Sequence, residues 1–380
     1  MTRSLELLER LVSKPLRDSA TGAPFHDRFR EIIKALSYSI WLKMPQPKVS
    51  VIVSCYNKVD TIGDCVESIL RQDLDEFEAI VVDDGSTDGS LRILEALEAR
   101  SSLRILRGEH KGISATKNKG FAASKGDVLL FIDGDCILEH GSLAELARCF
   151  DEAFDCVGGE LRAINSSNLI AKTVELMQNE VERKWPFGAN VAYTRRTLEK
   201  TGLFDERMAA GEDAELYLRA MKLGSKSMIN RKVIARTNNP DSVVDFFRQR
   251  LKWGKGFCQL TERHPETFTK KIKVCFIWMV AMLLSPLLIL LDTRLALAFP
   301  ALVVYNLMRF TPGTVTIYKR TGDAKHCAII PVLRFLNALA YLYGWSCWRL
   351  LELLGRAKSL DPFVPPSDPD KLSFSTDLPT

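Results

Sequence analysis

Acidic residues stand in pairs at the ends of apolar segments, where a fold could use them for chemistry. Asp133 and Asp135 flank Gly134 at the end of the apolar run 127–133. Two carboxylates fixed at a strand end can bind a divalent cation that also holds the phosphates of a nucleotide, and the glycine lets a ligand approach the backbone. Alone, an Asp-x-Asp tripeptide is more typical of an ordinary turn, so its meaning depends on its surroundings.

A second acidic pair, Asp83 and Asp84, stands at the end of the apolar run 77–83. A carboxylate at that place can accept a hydrogen bond from a ring N–H of a nucleotide base. The nearby Asp88 has a simpler interpretation, because an aspartate just before a helix caps its first N–H groups. The pair itself has no such structural explanation, which strengthens the case for a nucleotide site.

A third pair, Glu212 and Asp213, follows Gly211 at the start of a predicted helix. The structural interpretation is that first-turn acids stabilise the helix dipole, and the residues alone favour it. The chemical interpretation is a general base that removes the proton from an attacking hydroxyl. Its pKa would rise if a closed site excluded water.

The elements that must position these pairs follow from the hydrophobic pattern. Short apolar runs predict strands at 48–54, 77–83, 103–107 and 127–133, and helical periodicity predicts helices at 62–70, 88–99 and 113–124. This alternation predicts an α/β fold, a mostly parallel sheet with helices on both faces. Such sheets bind ligands at the carboxyl ends of their strands. We therefore expect the acidic tips to meet the polar residues that follow the first strand, Ser54, Tyr56 and Asn57.

Composition excludes several classes of protein. The chain has 380 residues, of which 46% are hydrophobic and 26% charged, with a net charge of +5 and no long Lys/Arg run. These values fit a folded protein and give no sign of nucleic-acid binding. The nine cysteines form no C-x-x-C pair, so we expect reduced, mostly buried thiols. The first ten residues alternate leucine with charge, and we expect no signal peptide there.

The C-terminal third is apolar enough to meet a membrane. Uncharged runs predict spans near 274–291, 295–310 and 327–348. For the first, a membrane span is favoured over a buried helix. The third contains Arg334 and fits a span or an interfacial helix equally well. Basic residues before the first run and after the second place the preceding domain in the cytoplasm by the positive-inside rule; they are Lys270, Lys271, Lys273, Lys319, Arg320 and Lys325.

Four segments in order carry a family resemblance. The segments 49–57, 81–88, 112–120 and 126–135 resemble the nucleotide-binding half of the family-two inverting glycosyltransferases, which have the GT-A fold. The likeness continues through 187–190 and 211–213, so it covers roughly 48–260. It implies a catalytic domain at 47–265, preceded by a helical prelude (1–46) that packs on the domain or lies on the membrane. Membrane-associated helices (266–358) and a disordered tail (359–380) would follow.

The resemblance also implies roles for individual residues. Asp213, with Glu212 beside it, matches the catalytic base, and Asp135 matches the ligand of a Mn²⁺ or Mg²⁺ ion. The nucleotide-sugar would contact Ser54, Tyr56, Asn57, Asp83, Asp84, Lys117 and Asp133, with Tyr56 stacking on the base, Asp84 contacting the base, Asp133 near the ribose and Lys117 near the phosphates. We find no well-placed histidine after Asp213 to complete the metal's ligands; 236–239 is where one would be sought.

Residues 249–253 resemble the Q-x-x-R-W signature of membrane-bound members of the family. Gln249, Arg250 and Trp253 would then lie at the acceptor end of the site, as would Asn190. Lys252 replaces the usual arginine and cannot reproduce its planar fork, which weakens the case for processive synthesis. The alternative is a basic amphipathic helix that meets lipid headgroups.

The expected function is a metal-dependent, hexosyltransferase-like transfer. A sugar would pass with inversion from a nucleoside-diphosphate donor to a membrane acceptor. That acceptor would be a polyprenyl phosphate, a lipid-linked glycan or a surface polysaccharide. Two alternatives stay open: a processive polysaccharide synthase, and a degenerate scaffold without activity.

Overall fold

The structure is a computed structural model that describes residues 49–99, 101–179, 186, 188–290, 292, 297–309 and 311–356. The chain divides into two compact units, Met1–Pro47 and Lys48–Thr380. The predicted helical prelude (1–46) and the predicted disordered tail (359–380) lie outside the described residues.

One mixed sheet of eight strands organises the second unit. The strands are β1 (Val49–Cys55), β2 (Phe77–Asp83), β3 (Arg104–Arg107), β4 (Val128–Asp133), β5 (Cys136–Leu138), β6 (Cys156–Ala163), β7 (Asn190–Thr194) and β8 (Ser227–Thr237). Their order across the sheet is β3-β2-β1-β4-β7-β6-β8-β5. The first four positions are parallel, and β7 pairs antiparallel with both β4 and β6.

Helices cover both faces of this sheet and continue beyond it. Those of the sheet domain are α1 (Ile62–Leu70), α2 (Ser90–Glu98), α3 (Ile113–Ala123), α4 (Ser142–Asp151), α5 (Leu169–Gln178), α6 (Arg195–Thr201), α7 (Glu212–Lys222) and α8 (Val243–Arg263). Those that follow are α9 (Lys270–Leu284), α10 (Ala298–Arg309), α11 (Pro312–Thr321) and α12 (Ala324–Leu353).

The central strands are buried on both faces, as their uninterrupted apolar runs predict. Alternate residues of β4 enter different cores: Leu130 and Ile132 pack under α1 and α4, whereas Leu129 and Phe131 pack with the α6–α7 side. The predicted strands and helices between 48 and 133 are confirmed to within about two residues, the usual uncertainty of element ends. All nine cysteines are free, and seven are buried.

The C-terminal apolar runs fold differently from the predicted spans. The run at 274–291 is not one helix, because α9 ends at Leu284 and a 3₁₀ segment, Ser285–Leu290, follows with Pro286 in it. The second run holds only the short helix α10 in its described part. Within the described residues one helix, α12, is long and apolar enough to cross a membrane. It includes the third run.

Helix α12 packs closely along α8. A side chain at Gly254 of α8 would come within 2.9 Å of the Ala340 carbonyl oxygen, and one at Gly344 of α12 within 2.5 Å of the Leu251 carbonyl oxygen. The two glycines let the helix backbones approach, as small residues do where apolar helices cross. Val174, Phe246 and Leu333 extend the contact into a small core that also includes α5. This seam joins the longest apolar helix to the sheet domain.

Candidate active site

The polar ends of β1, β2 and β4 meet at one edge of the sheet, as the strand pattern predicts. Ser54 lies opposite Asp133 in the β1–β4 register, and Cys55 lies opposite Asp83 in the β1–β2 register. The Gly134 N–H donates to the Ser54 carbonyl oxygen at 2.9 Å. Ser54 Oγ, Asp83 Oδ1 and Asp133 Oδ1 are buried and accept or donate no hydrogen bond among the described residues. Such atoms at a strand edge indicate a ligand site.

Asp83 and Asp84 also hold neighbouring loops in place, a role that the sequence did not reveal. Both Asp84 oxygens accept backbone N–H groups, from Lys111 at 3.0 Å and from Gly112 at 2.8 Å. Asp83 Oδ2 accepts the Ser86 N–H at 3.1 Å. The two carboxylates therefore fix the loops that border the site, and each retains acceptor capacity for a ligand.

Asn57 joins the ends of β1 and β2. Its side-chain oxygen accepts the Thr87 N–H at 2.8 Å, and its own N–H donates to Ser86 Oγ at 2.9 Å. Asp88, as expected, holds the start of α2 by accepting the Ser90 N–H at 2.9 Å. Asn57 thus shapes the predicted nucleotide pocket through contacts between loops.

Tyr56 is exposed at the rim of this edge and already stacks on an aromatic ring. Its ring centroid lies 4.1 Å from that of His110, with 28° between the planes. His110 has a positive φ of 57°, which holds its loop close to Tyr56. A base that stacks on Tyr56 would use the other ring face or replace the imidazole.

Lys117 lies at the centre of a buried charge cluster. Its ammonium donates to Glu212 Oε1 at 2.9 Å, and both side chains are almost wholly buried. Burial opposes its charge, but Glu212, Asp133 and Asp213 together raise the pKa of Lys117. Burial raises the pKa of Asp133 to about 6, against the opposing charge of Lys117. One cation thus balances three carboxylates contributed by β4 and α7.

Asp213 is held at the start of α7 by the backbone that precedes β7. Its Oδ2 accepts the Gly188 N–H at 2.7 Å. A side chain at Gly188 would come within 2.9 Å of the Asp213 carboxyl carbon, so only glycine allows this approach. Burial, and then the charge of Glu212, raises the pKa of Asp213. The carboxylate is therefore a stronger base than an exposed aspartate.

The predicted acceptor residues are divided between two places. Gln249, Arg250 and Trp253 lie together on α8, where the Arg250 guanidinium is 4.0 Å from the Trp253 ring centroid. Asn190 is 0% exposed, and its amide donates to the carbonyl oxygens of Glu160 and Val233 at 3.3 and 3.2 Å. Its Oδ1 is also buried and has no hydrogen-bond partner among the described residues, so the acceptor role of Asn190 stays a prediction.

Comparison with known proteins identifies the domain. Residues 50–214 match the model for Glycosyl transferase family 2. This chain carries a glycosyltransferase family 2 domain. The uncharacterized glycosyltransferase EpsJ of Bacillus subtilis is 29% identical over 222 residues, which cover 52% of this chain and 63% of EpsJ. The glycosyltransferase AglE of Haloferax volcanii is 27% identical over 230 residues, 56% of this chain and 74% of AglE. The chain thus spans less than two thirds of EpsJ.

A solved structure supports the GT-A fold of the glycosyltransferase domain. The mannosyltransferase PcManGT from Pyrobaculum calidifontis, solved in complex with GDP-Man and Mn²⁺, superposes with a TM-score of 0.51. The match is 17% identical in sequence and covers 91% of this chain and 99% of that protein. At this identity the likeness concerns the fold.

The glycosyltransferase domain offers few ligands to a metal. Asp135, 31% exposed, forms an ion pair through Oδ2 with Lys58 Nζ, while Asp133 Oδ1 has no partner among the described residues. In that part of the chain no group of three or more His, Cys, Asp or Glu could hold an ion. The two aspartates therefore fit a divalent cation only if donor phosphates supply further oxygens, as they do for Mg²⁺ in many nucleotide sites.

Sequence reasoning missed three contributors to this site. Lys58 follows Asn57, and no local pattern indicates its contact with Asp135. His110 gave no signal apart from its place before Lys111-Gly112. Gly188 stands inside the segment 187–190 that carries the family resemblance, but its contact with Asp213 depends on how α7 meets β7, which no local pattern contains.

Proposed function

We propose that this protein transfers a sugar from a nucleoside-diphosphate donor to a membrane-associated acceptor, with inversion at the anomeric carbon. The observation that carries the proposal is the position of Asp213. It lies beside the Lys117–Glu212 pair and is held by the Gly188 N–H at 2.7 Å. A carboxylate with a raised pKa, next to a strand edge with unpartnered polar atoms, suits a general base.

The reaction is a single displacement. Asp213 takes the proton of the acceptor hydroxyl as its oxygen forms a bond to the anomeric carbon. The bond from that carbon to the diphosphate oxygen breaks on the opposite face, and the nucleoside diphosphate leaves with the electron pair. Ser54, Tyr56, Asp83 and Asp84 position the nucleoside, with Asp133 near the ribose. Lys117 limits the repulsion between the carboxylates and the phosphates.

Asp135, together with the donor phosphates, would hold a divalent cation, whose positive charge would stabilise the leaving diphosphate. PcManGT was solved with Mn²⁺, and we propose Mn²⁺ or Mg²⁺ for this chain. Lys58 already places one positive charge on Asp135, so cation binding here requires Lys58 to share or release that carboxylate.

The C-terminal helices attach the enzyme to a membrane. Most of the exposed large apolar side chains lie between 277 and 354, among them Ile277, Leu283, Met308 and Leu350. Only 33% of the most apolar window of α12 is buried, which leaves surface for lipid. Basic residues beside α9 and α11 favour a cytoplasmic catalytic domain. Attachment would bring the site close to lipid-borne acceptors.

The test uses the full chain in detergent micelles. A panel of UDP-, GDP- and dTDP-sugars is supplied with Mn²⁺ or Mg²⁺ and a membrane lipid extract. Release of nucleoside diphosphate is measured together with sugar incorporation into lipid, and product stereochemistry is read by NMR. We expect one donor to be turned over with inversion. Retention would exclude the single displacement, and failure to bind any donor would exclude the function.

The same assay decides between the alternatives. Donor binding without turnover by the wild-type chain would favour a degenerate scaffold, which the raised pKa of Asp213 and the nearby Lys117 argue against. A long ladder of products would favour a processive synthase. We expect single additions, because Lys252, exposed on α8, replaces the arginine of the Q-x-x-R-W signature.

A further inference from the structure

Arg250 is a buried cation that pairs with no anion in the described part of the chain. The residue is only 6% exposed, and its Nε has no hydrogen-bond partner among the described residues. The guanidinium lies 4.8 Å from the Phe246 ring centroid and 4.0 Å from that of Trp253. No hydrogen bond or ion pair joins it to any residue of the described part of the chain. Burial lowers the pKa of Arg250 to about 10, so it is charged at neutral pH.

Other buried cations of the domain are paired. Lys117 contacts Glu212 at 2.9 Å, and Arg219 contacts Glu215 at 2.7 Å. A buried charge without such a partner destabilises the fold. Cation–π contacts offset part of that cost, but aromatic rings accept none of the in-plane N–H bonds that a guanidinium offers. Arg250 is therefore arranged for an anion that the described part of the chain does not provide.

The surroundings of Arg250 connect it to the proposed catalytic base. Tyr341 of α12 lies beside this part of α8, because a side chain at Gly254, one turn from Arg250, would come within 2.9 Å of the Tyr341 Cα. A side chain at Gly256 of α8 would come within 2.2 Å of the Ala210 carbonyl oxygen, so α8 also packs against the loop that leads to Glu212 and Asp213. Arg250 thus belongs to the acceptor side of the site, at the seam between α8 and α12.

We propose that Arg250 is the receptor for a phosphate group carried by a lipid acceptor. The inference rests on the proposed function and adds a chemical class to its acceptor. A planar guanidinium matches phosphate oxygens with two parallel hydrogen bonds. Helix α12, the other side of the seam, also carries exposed apolar side chains for contact with lipid, Val332, Tyr343 and Leu350, on the face turned away from Tyr341. The donor phosphates belong at the strand edge, near Asp135 and Lys117.

The test measures binding of farnesyl phosphate to the full chain in detergent micelles by calorimetry. Farnesol, inorganic phosphate and UDP or GDP serve as separate probes. Arg250→Gln and Arg250→Lys are compared with the matched control Arg248→Gln. Arg248 lies on the same helix, its side chain is 74% exposed, and it pairs with Asp245 at 3.2 Å, so the control removes the same charge outside the seam.

We expect Arg250→Gln to weaken farnesyl phosphate binding about 10- to 100-fold, the effect of losing hydrogen bonds between charged groups. Binding of farnesol and of the nucleotides should not change, and Arg248→Gln should behave as wild type. Arg250→Lys keeps the charge but loses the fork, so it should weaken binding several-fold. If inorganic phosphate alone reproduced the full effect, the lipid part of the proposal would be overturned.

Two further outcomes would overturn the whole proposal. One is unchanged farnesyl phosphate affinity in Arg250→Gln. The other is a loss of nucleotide affinity in its place, which would assign Arg250 to the donor. If Arg250→Gln does not fold, Arg250→Lys decides by the same criteria. Failure of the wild-type chain to bind any nucleotide would instead contradict the proposed function. The failure of the Arg250 proposal and the failure of the proposed function are therefore distinguishable.

Discussion

The two sides of the proposed site differ in how fully their charged groups are paired within the protein. At the proposed donor edge, the ends of β1, β2 and β4, each acidic residue has at least one partner or balancing charge within the protein: Asp84 accepts two backbone N–H groups and Asp135 pairs with Lys58, although Asp83 Oδ1 and Asp133 Oδ1 have no hydrogen-bond partner among the described residues. At the proposed acceptor end, the seam of α8 and α12, Arg250 has no anionic partner among the described residues. Between them, Lys117 balances three carboxylates.

The two ligands therefore differ in the protein contacts that each must replace when it binds. A donor with its cation has to replace contacts that already exist at the strand edge, which favours ligands that bring several phosphate oxygens and a cation at once. An acceptor phosphate would instead relieve an electrostatic cost already present in the fold. The comparison predicts that substitutions at the two sides separate donor binding from acceptor binding.

The largest expected effect is that of Asp213→Asn, which tests the boundary between the two sides. Asparagine keeps an oxygen for the Gly188 N–H but cannot take a proton. Transfer should fall about a thousandfold, while donor affinity should stay within about twofold. The measurement is kcat for sugar transfer beside calorimetry of the nucleoside diphosphate. Full transfer activity in the variant would remove Asp213 from the role of base.

The pH dependence of the wild-type enzyme sharpens this assignment. Because the base works in its ionised form and its pKa is raised by burial and by Glu212, activity should fall as pH decreases, starting above the usual carboxyl range of about 4. Glu212→Gln removes one cause of the shift, so the acidic limb should move to lower pH. If the acidic limb of the activity profile stays at the same pH, a group other than Asp213 determines it.

The second prediction concerns the cation between the two sides. Lys117→Met leaves three carboxylates without their counter-charge, and breaking a buried pair in this way costs about 3–5 kcal/mol of folding stability. Lys119→Met, on the same helix but exposed, should change stability by less than about 0.5 kcal/mol. Urea unfolding measures both. Similar values for the two variants would show that the cluster contributes nothing.

How far the sequence predicts this molecule differs between its parts. The strands and helices up to Asp133 follow from periodicity, and the meeting of Ser54 with Asp133 follows from the rule that parallel strands carry ligands at their carboxyl ends. The burial of Asn190 does not follow, because it depends on β7 entering antiparallel between β4 and β6. No local pattern encodes that order.

The same limit applies to charges and to apolar runs. Lys58 and Asp135 meet across 77 positions of sequence, so their pairing becomes visible only in three dimensions. Helix α9 stops where Ser285 and Pro286 interrupt an otherwise continuous apolar run, a break that hydropathy alone overlooks. Residue types thus indicated the chemistry, whereas the partners of each charge depend on strand order and helix packing.

The third prediction addresses the cation at the donor edge. Asp135→Ala removes the one exposed carboxylate proposed to hold a metal, so Mn²⁺ should no longer strengthen donor binding, a loss of about 10- to 100-fold in donor affinity with Mn²⁺ present. Without Mn²⁺ the variant and wild type should bind the nucleotide alike. Calorimetry with and without Mn²⁺ measures both. Continued Mn²⁺ enhancement in Asp135→Ala would place the cation elsewhere.

The smallest expected effect is that of Lys58→Gln, and it tests whether the donor edge really competes with its own ligand. Lys58 is 34% exposed and Asp135 31%, so the pair contributes at most about 1 kcal/mol. Releasing Asp135 should tighten Mn²⁺ binding by up to about fivefold, read by electron paramagnetic resonance of free Mn²⁺ without any turnover. Lys232→Gln removes an equal charge from an 81% exposed side chain and should leave Mn²⁺ affinity unchanged. Weaker Mn²⁺ binding in Lys58→Gln would mean that Lys58 supports the cation site and that the contrast between the two sides is smaller than the ion pair suggests.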